Sequence, residues 1–292
     1  MTQPHVAVRQ LSKSFGRQEV LAGVTAEVLS GDVVGVLGKN GAGKTTLLDL
    51  MLGFSPPSSG AIKIFGEDSL KMTNSSKERV GFVPQQDELI HQLTALDQLR
   101  LIGSFYRNWD ETLIRELGTA WEIDLDERVR NMSVGQRQKL SILLALGHRP
   151  DLLVLDEPVA SLDPIARRQF LEQIIELTAD GRRAVVFSSH IVSDIERLAN
   201  KIWILKDHRL FWAGDIDALK ESVVRVHIRG TRPLPKNLDL PDAYSFDVHE
   251  TYATGVVRSW SQAMQSDLIS KAGAEVEVQP LTLEEIFLEM HR

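Results

Sequence analysis

The residues best suited to chemistry lie in one short segment, 38–45, which reads GKNGAGKT. It fits the pattern G-x-x-x-x-G-K-[ST] without a mismatch, and that pattern is typical of loops that bind phosphate groups. The glycines allow the loop to wrap closely and to aim its amides at an anion. Lys44 supplies a point charge for the β- and γ-phosphates of a nucleotide, and the Thr45 hydroxyl suits a Mg²⁺ ligand. The alternative, a glycine-rich turn with a chance lysine, does not account for the complete pattern.

This loop needs a strand before it and a helix after it to hold its amides in place. The apolar run from Val33 to Leu37 predicts a buried parallel strand, and residues 46–51 continue as a helix. A strand, a tight loop and a helix in this order bring backbone N–H groups and a helix N-terminus around one point. Such a point stabilises a phosphate.

Two adjacent acids form the second strong signal. The apolar run 152–155 predicts a buried strand, and Asp156 and Glu157 follow it directly. Placing carboxylates at the end of a buried strand costs free energy unless a cation lies beside them. A Mg²⁺ ion held by Thr45 would satisfy Asp156, whereas Glu157 faces another way and can accept a proton from water. A strand end that simply reaches solvent would be the default interpretation in a chain without a phosphate-binding loop.

Two weaker candidates, a glutamine and a phenylalanine, have ordinary structural explanations beside the functional one. Gln85 follows the predicted strand 80–83, but a glutamine can contact a metal, a water or a backbone, so alone it indicates little. Gln86 is an equal alternative by position. Phe15 stands before a turn and could stack on an adenine ring, although by itself it would more often be a minor core residue.

A histidine and an aspartate are two further candidate site residues. His190 follows the predicted strand 184–188, at the sheet edge where ligands bind in open α/β sheets, although a lone histidine is more often structural. Asp163 can cap the helix that begins at Pro164 and ends at Gly181. The cap does not exclude a second role.

Met132 to Gln136 opens a helix that we expect to run to about Gly147. Ser133 and Gln136 are three residues apart and form a capping box, which is a sufficient structural reason for both. Gly135 would also allow a phosphate to approach the same helix N-terminus closely. From these residues alone, the two interpretations stand equal.

Composition sets limits on the class of protein. The chain has 292 residues, 43% of them hydrophobic and 25% charged, which is ordinary for a globular protein of one or two domains. Its net charge of -7 argues against a nucleic-acid-binding surface. The 0 cysteines exclude disulfides and cysteine-ligated clusters. We see no secretory signal at the N-terminus and no apolar run near the roughly 18 residues of a membrane helix, so any membrane role is expected to require a partner.

The order of the predicted elements indicates an α/β fold with a mostly parallel sheet. Antiparallel strands at 6–11 and 19–29 precede the phosphate-binding loop, and helical spacing over about 87–147 predicts a helical insertion. We place one domain at 1–219 and a small α+β extension at 220–292. The extension contains no residues that suggest chemistry, and it ends in an amphipathic helix.

Taken together, the motifs resemble one family, the nucleotide-binding subunits of ATP-binding cassette transporters, over about three quarters of the chain. The signature segment departs from the family's LSGGQ at Met132 and Val134, but Ser133, Gly135 and Gln136 remain, so function is expected to persist. The resemblance implies a P-loop NTPase core with an antiparallel β subdomain and a helical insertion. Its other motifs match the glutamine loop at Gln85, the Walker B strand at 152–157, the D-loop at 161–163, the switch histidine at His190 and the adenine-stacking aromatic at Phe15.

The resemblance also implies a mechanism in which two subunits sandwich two ATP molecules. Glu157 would polarise the attacking water and His190 would stabilise the γ-phosphate, with Gln85 as the third catalytic residue. Mg²⁺ would be held by Thr45, Gln85 and Asp156. The residues implied in ATP binding are Phe15, Gly38, Asn40, Gly41, Gly43, Lys44, Thr45, Thr46, Ser133, Gly135, Gln136 and Asp163.

The implied partners are a transmembrane permease subunit docked near Gln85 and a second ATPase subunit, with a homodimer expected. The chain would then be cytoplasmic and peripheral on the inner face of the cell membrane. Segment 281–290 is similar to the tail of exporter-type subunits, which favours export. One alternative is a cassette ATPase acting on DNA or the ribosome, but the single cassette, the missing heptads and the acidic charge argue against it. Another is a catalytically silent subunit, which the intact motif residues argue against.

Overall fold

The structure is a computed structural model that describes residues 3–86, 88–160, 162–235 and 238–291. The chain divides into two compact units, 1–213 and 214–292. The division therefore falls six residues before the predicted boundary at 219. The last helix before the second unit's sheet, Ile216–Ser222, belongs to that unit. The predicted boundary lies close to the alternating pattern that begins at Val223. The helix before that pattern was therefore not assigned to the second unit.

A six-stranded sheet forms the centre of the first unit, in the order β10-β9-β3-β8-β7-β6. The pairs β9/β3, β3/β8, β8/β7 and β7/β6 are parallel, so these strands end at one common edge. Every residue of β3, β7 and β8 is buried, as expected for strands covered on both faces. The strands are β3 (Val33–Leu37), β6 (Val80–Val83), β7 (Leu152–Leu155), β8 (Ala184–Ser189), β9 (Lys201–Lys206) and β10 (Arg209–Asp215).

An antiparallel sheet precedes and flanks the phosphate-binding loop in sequence, in the order β2-β1-β4-β5. The first long strand extends four residues beyond its predicted end at Leu11, and the second begins and ends one residue earlier than predicted. The two meet at a turn between Phe15 and Gln18, which pair with each other. This sheet confirms the predicted antiparallel β subdomain. Its strands are β1 (Val6–Phe15), β2 (Gln18–Val28), β4 (Ser59–Ile64) and β5 (Glu67–Asp68).

Helices complete the first unit. Those of the predicted insertion begin at side-chain caps, because Thr94, Asp110 and Ser133 each accept a hydrogen bond from an amide in the helix's first turn. Asp87, where the insertion was predicted to begin, lies outside the described residues. The helices are α1 (Lys44–Met51), α2 (Asn74–Lys77), α3 (Ala95–Gly103), α4 (Glu111–Ala120), α5 (Val134–Leu146), α6 (Pro164–Thr178) and α7 (Val192–Leu198).

The second unit is an antiparallel sheet with three helices, which confirms the predicted α+β extension. Its strand order is β12-β13-β11-β14, and Val226, Ile228 and Leu268 lie in its core. Along the described part of the chain, no helix is both long enough and apolar enough to cross a membrane. The elements are α8 (Ile216–Ser222), β11 (Val223–Arg229), β12 (Ala243–Val248), β13 (Tyr252–Arg258), α9 (Gln262–Ala272), β14 (Glu275–Pro280) and α10 (Leu283–Met290).

A glycine in β3 sets the distance between the central sheet and α7. A Cβ atom at Gly35 would lie 2.6 Å from Cγ2 of Ile195, which is fully buried. We expect Gly35→Ala to lower the free energy of unfolding by about 1–3 kcal/mol through overpacking. In an Ile195→Ala background the same change should cost little, because the clashing atoms are gone. Urea denaturation of the four variants measures this coupling, and an equal cost in both backgrounds would contradict it.

Candidate nucleotide-binding site

The phosphate-binding loop connects β3 to α1 and depends on glycine for its shape. Gly41 and Gly43 have φ angles of 80° and 99°, which other residues rarely adopt. A Cβ atom at Gly43 would also lie 2.9 Å from Cδ2 of Leu21 and 3.0 Å from the carbonyl oxygen of Val20. Gly43 offers no side chain to cap α1, so the first amides of the helix can bind a phosphate.

Lys44 is the first residue of α1 and its side chain is buried. Its ammonium group donates a hydrogen bond to the carbonyl oxygen of Gly38 over 2.9 Å. The same Nζ atom lies 3.7 Å from Oε1 of Glu157. The loop's cation and the Walker B glutamate therefore share one small space, although they are 113 residues apart in the sequence.

The two acids after β7 have different environments, as the sequence predicts. Asp156 is 2% exposed, and its Oδ1 accepts a hydrogen bond of 2.5 Å from the Ser188 hydroxyl. The backbone of Glu157 has a φ of 49°, in the left-handed region. Its Oε2 lies 2.5 Å from Nδ1 of His190. Ser188 is not among the predicted site residues. Its signal in the sequence is its place two residues before His190, at the end of the strand that leads to this histidine.

A cavity of about 250 Å³ lies between the phosphate-binding loop and Glu157. Gln85 is among its lining residues, whereas Gln86 is not among those that the structure describes there. The amide of Asp156 donates to the carbonyl oxygen of Val83, which brings the strand before Gln85 beside the acids. The geometry therefore favours Gln85 over Gln86. The cavity is lined by Val20, Asn40, Gly41, Gly43, Lys44, Thr45, Thr46, Gln85 and Glu157.

Phe15 is not a core residue, so that interpretation of it is wrong. Its side chain is 56% exposed at the hairpin end of β1, beyond the reach of the core beneath the sheet. The ammonium group of Lys13 lies 4.8 Å from the centre of its ring. An exposed aromatic face of this kind can accept a flat ligand.

The signature segment caps its own helix. The Ser133 hydroxyl accepts a hydrogen bond from the Gln136 amide, and Oε1 of Gln136 accepts one from the Ser133 amide, over 3.2 and 2.7 Å. This confirms the predicted capping box. Gly135 and the half-exposed Val134 follow on the same first turn. Among the described residues, none from 133–136 lines the cavity at the phosphate-binding loop.

Asp163 is the cap of α6. Its carboxylate accepts hydrogen bonds from the amides of Ala166 and Ile165, over 3.0 and 2.9 Å. The Ala166 amide is the main reason that the pKa of Asp163 lies below its ordinary value. This confirms the predicted cap. Ser161, which the resemblance places in the same loop, lies outside the described residues.

The electrostatics around Asp156 fit a divalent cation. Within the described parts of the chain, no cationic side chain forms a salt bridge with this buried carboxylate. Burial raises the pKa of Asp49, one turn of α1 beyond Thr45, and the charges of Asp156 and Glu88 raise it further. The described residues contain no group of three His, Cys, Asp or Glu side chains able to hold a metal alone. Mg²⁺ typically uses few protein oxygens together with substrate phosphates, so Thr45 and Asp156 are a suitable set.

The strand, loop and helix around a buried lysine define a phosphate-loop nucleotide-binding protein. A family model described as "ABC transporter" matches residues 21–160. The chain is 31% identical to the bacitracin transport ATP-binding protein BcrA of Bacillus licheniformis, over 97% of this chain and 94% of that protein. It is 30% identical to the Nod factor export ATP-binding protein I of Burkholderia lata, over 97% and 95% of the two chains.

Solved structures agree with this assignment. A structure titled as the ATP binding subunit of an ABC transporter superposes with a TM-score of 0.68 at 29% identity, and covers 74% of this chain and 92% of that one. The chain therefore belongs to the ABC transporter family, as one of its ATP-binding, ATP-hydrolysing subunits. The resemblance seen in the sequence motifs is confirmed.

Proposed function

We propose that this chain binds and hydrolyses Mg²⁺-ATP to power export by a separate transmembrane permease. The observation that carries the proposal is a chain of contacts that starts at the loop cavity, where Lys44 and Glu157 are lining residues. Glu157 lies 3.7 Å from the Lys44 ammonium group and 2.5 Å from the His190 ring. A cation and a carboxylate beside a phosphate-sized space, with an imidazole bonded to that carboxylate, are suited to phosphoryl transfer to water.

Binding of ATP would use groups that the fold already holds in place. The uncapped amides of α1 and the Lys44 ammonium group would hold the phosphates, assisted by the Thr46 hydroxyl. The exposed ring of Phe15 would stack on the adenine. The other phosphate contacts would come from the loop backbone at Gly38, Asn40, Gly41 and Gly43.

Thr45 and Asp156 would hold Mg²⁺, with Gln85 beside them. When bound, the ion neutralises charge on the phosphate oxygens. Asp156 is suited to this role because it is buried and fixed by one hydrogen bond on Oδ1. Gln85 stands where the chain leaves β6 and reaches the cavity, so its position can change with the contents of the site.

Hydrolysis would depend on Glu157 and His190. The Glu157 carboxylate would accept a proton from the attacking water. His190 is bonded to Glu157 through Nδ1 and is 52% exposed, so its ring can turn Nε2 toward the γ-phosphate. Its contribution would be mainly electrostatic stabilisation of the transition state.

We propose that a second copy of the chain completes the site. Ser133, Gly135 and Gln136 lie outside the cavity of their own chain, at the N-terminus of α5. The capping box there uses the amides of Ser133 and Gln136, so an anion would be bound by the amides of Val134 and Gly135. In a head-to-tail dimer they would contact the γ-phosphate held by the partner's loop, with Asp163 near the same interface. ATP would then join the two subunits, and its hydrolysis would release them.

The names of the relatives support export. One is a bacitracin transport protein and another a Nod factor export protein, and each aligns with this chain over almost its full length. Since both relatives are named as the ATP-binding proteins of transport or export systems, the permease would be a separate subunit. The complex would place this chain on the inner face of the cell membrane.

The test is purification of the tagged full chain from detergent-solubilised membranes of the producing cell. We expect one polytopic membrane protein in stoichiometric amount, and phosphate release several times faster in this complex than with the chain alone. Recovery of the chain with ribosomes or DNA, without a membrane protein, would contradict the export proposal and support the alternative class.

A further inference from the structure

We propose that Ser188 is a positioning residue for hydrolysis, which fixes Asp156 and Glu157 in their different orientations. Ser188 lies on β8 and is completely buried. It pairs with Val36 of β3, one residue before the end of that strand. On the other side, Phe187 pairs with Leu155, the residue before Asp156. The serine therefore stands between the strand that carries the phosphate-binding loop and the strand that carries the acids.

One hydroxyl group serves both acids. Its hydrogen is donated to Oδ1 of Asp156 over 2.5 Å, and its oxygen accepts the backbone N–H of Glu157 over 2.8 Å. A serine has one donor and two acceptor positions, so this pair of bonds uses its only donor. Because the hydroxyl is buried, water cannot easily replace either bond, and losing it would leave a buried carboxylate oxygen and a buried amide without this partner.

The bond from the Glu157 amide to Ser188 is made by a residue whose backbone is in the left-handed region. Glu157 has a φ of 49°, a conformation that residues with a side chain adopt uncommonly. This left-handed step turns the second acid away from the first. Asp156 stays buried, whereas Glu157 reaches the Lys44 ammonium group and the His190 ring. Strain at such a position is often part of a site's organisation.

The neighbouring serine, Ser189, has different hydrogen-bond partners from Ser188. Ser189 is equally buried, but its hydroxyl accepts the backbone N–H of Ile191 over 3.0 Å. Alternation along β8 sends the two side chains to opposite faces. Ser188 is thus the residue of this strand whose side chain is bonded to the acids.

The inference rests on the proposed roles of Asp156 and Glu157, so its test must be separable from theirs. We expect Ser188→Ala to lower kcat for ATP hydrolysis by about ten- to a hundredfold, since small misplacements of reacting groups have effects of this size. The KM for ATP should change less than about threefold, because the loop that binds the phosphates is intact. Ser188→Thr keeps the hydroxyl and should restore most of kcat.

A binding measurement complements the rates. We expect Mg²⁺ to strengthen ADP binding less in Ser188→Ala than in the unmodified chain, because Asp156 is no longer fixed. The control is Ser69→Ala, which removes a buried hydroxyl that donates to Leu50 instead. Thermal unfolding of both variants reports any shared loss of stability.

Different results would contradict the positioning role of Ser188 and the proposed function. A Ser188→Ala protein with the kcat and Mg²⁺ dependence of Ser69→Ala would overturn the positioning role, whether or not Ser188→Thr folds. If Glu157→Gln and Asp156→Asn kept full activity, the roles proposed for these two acids would fail instead. An unmodified chain that released no phosphate from ATP would contradict the proposed function itself.

Discussion

Replacing Glu157 with glutamine is expected to reduce ATP hydrolysis by about 10²–10⁴-fold, the usual contribution of a general base. Glutamine has nearly the same shape but cannot accept the proton of the attacking water at neutral pH. It also removes the charge that lies 3.7 Å from Lys44, so the lysine is freer to bind phosphate. We therefore expect the affinity for ATP to be unchanged or higher.

Phosphate release and equilibrium ATP binding should be measured on the same preparation of the full chain. Glu172→Gln is the matched control, since Glu172 is on the surface and forms an ion pair with Arg168 within α6. That variant should hydrolyse ATP at the normal rate. A Glu157→Gln protein that also does so would remove Glu157 from the role of base.

Replacing Lys44 with alanine is expected to weaken ATP binding by about ten- to a hundredfold. A hydrogen bond to a charged group contributes about 1.5–3 kcal/mol, and each 1.4 kcal/mol is about tenfold in affinity. The Lys44 side chain is buried beside the loop and held by Gly38, so it is preorganised for the phosphates. Hydrolysis should fall at least as far, because we propose that the lysine also contacts the γ-phosphate.

Calorimetric titration with ATP in the presence of Mg²⁺ measures the loss. Lys63→Ala removes an exposed lysine from β4 and should bind ATP normally. Thermal unfolding of both variants must show a folded protein. Equal affinity in Lys44→Ala and in the unmodified chain would refute the assignment of the phosphate-binding loop.

The loop could be predicted from the sequence because its chemistry is local. Its glycines, Lys44 and Thr45 are consecutive, and the strand and helix around them have short, clear patterns. The same is true of the capping box at Ser133 and of the cap at Asp163, which the structure confirms. The order of strands and helices was also sufficient to predict a mostly parallel sheet, since its buried strands alternate with helices.

Other features depend on contacts between distant segments, which no local pattern contains. Ser188 has a local signal in its place two residues before His190, but its bonds to the acids exist only because β8 lies beside β7. The left-handed backbone of Glu157 could not be read from its residue type, because glutamate rarely adopts it. The exposure of Phe15 and the preference for Gln85 over Gln86 likewise required the surrounding strands.

The most direct test of the account is the molar mass of the Glu157→Gln protein with ATP and Mg²⁺, measured by light scattering during gel filtration. We expect twice the 32.7 kDa of the single chain with ATP, and the single-chain mass without nucleotide. Adding Ser133→Arg should restore the single-chain mass in ATP, because the signature segment would no longer fit the partner's phosphate. A Glu157→Gln protein that stays at 32.7 kDa with ATP bound, or a dimer indifferent to Ser133→Arg, would contradict the shared site.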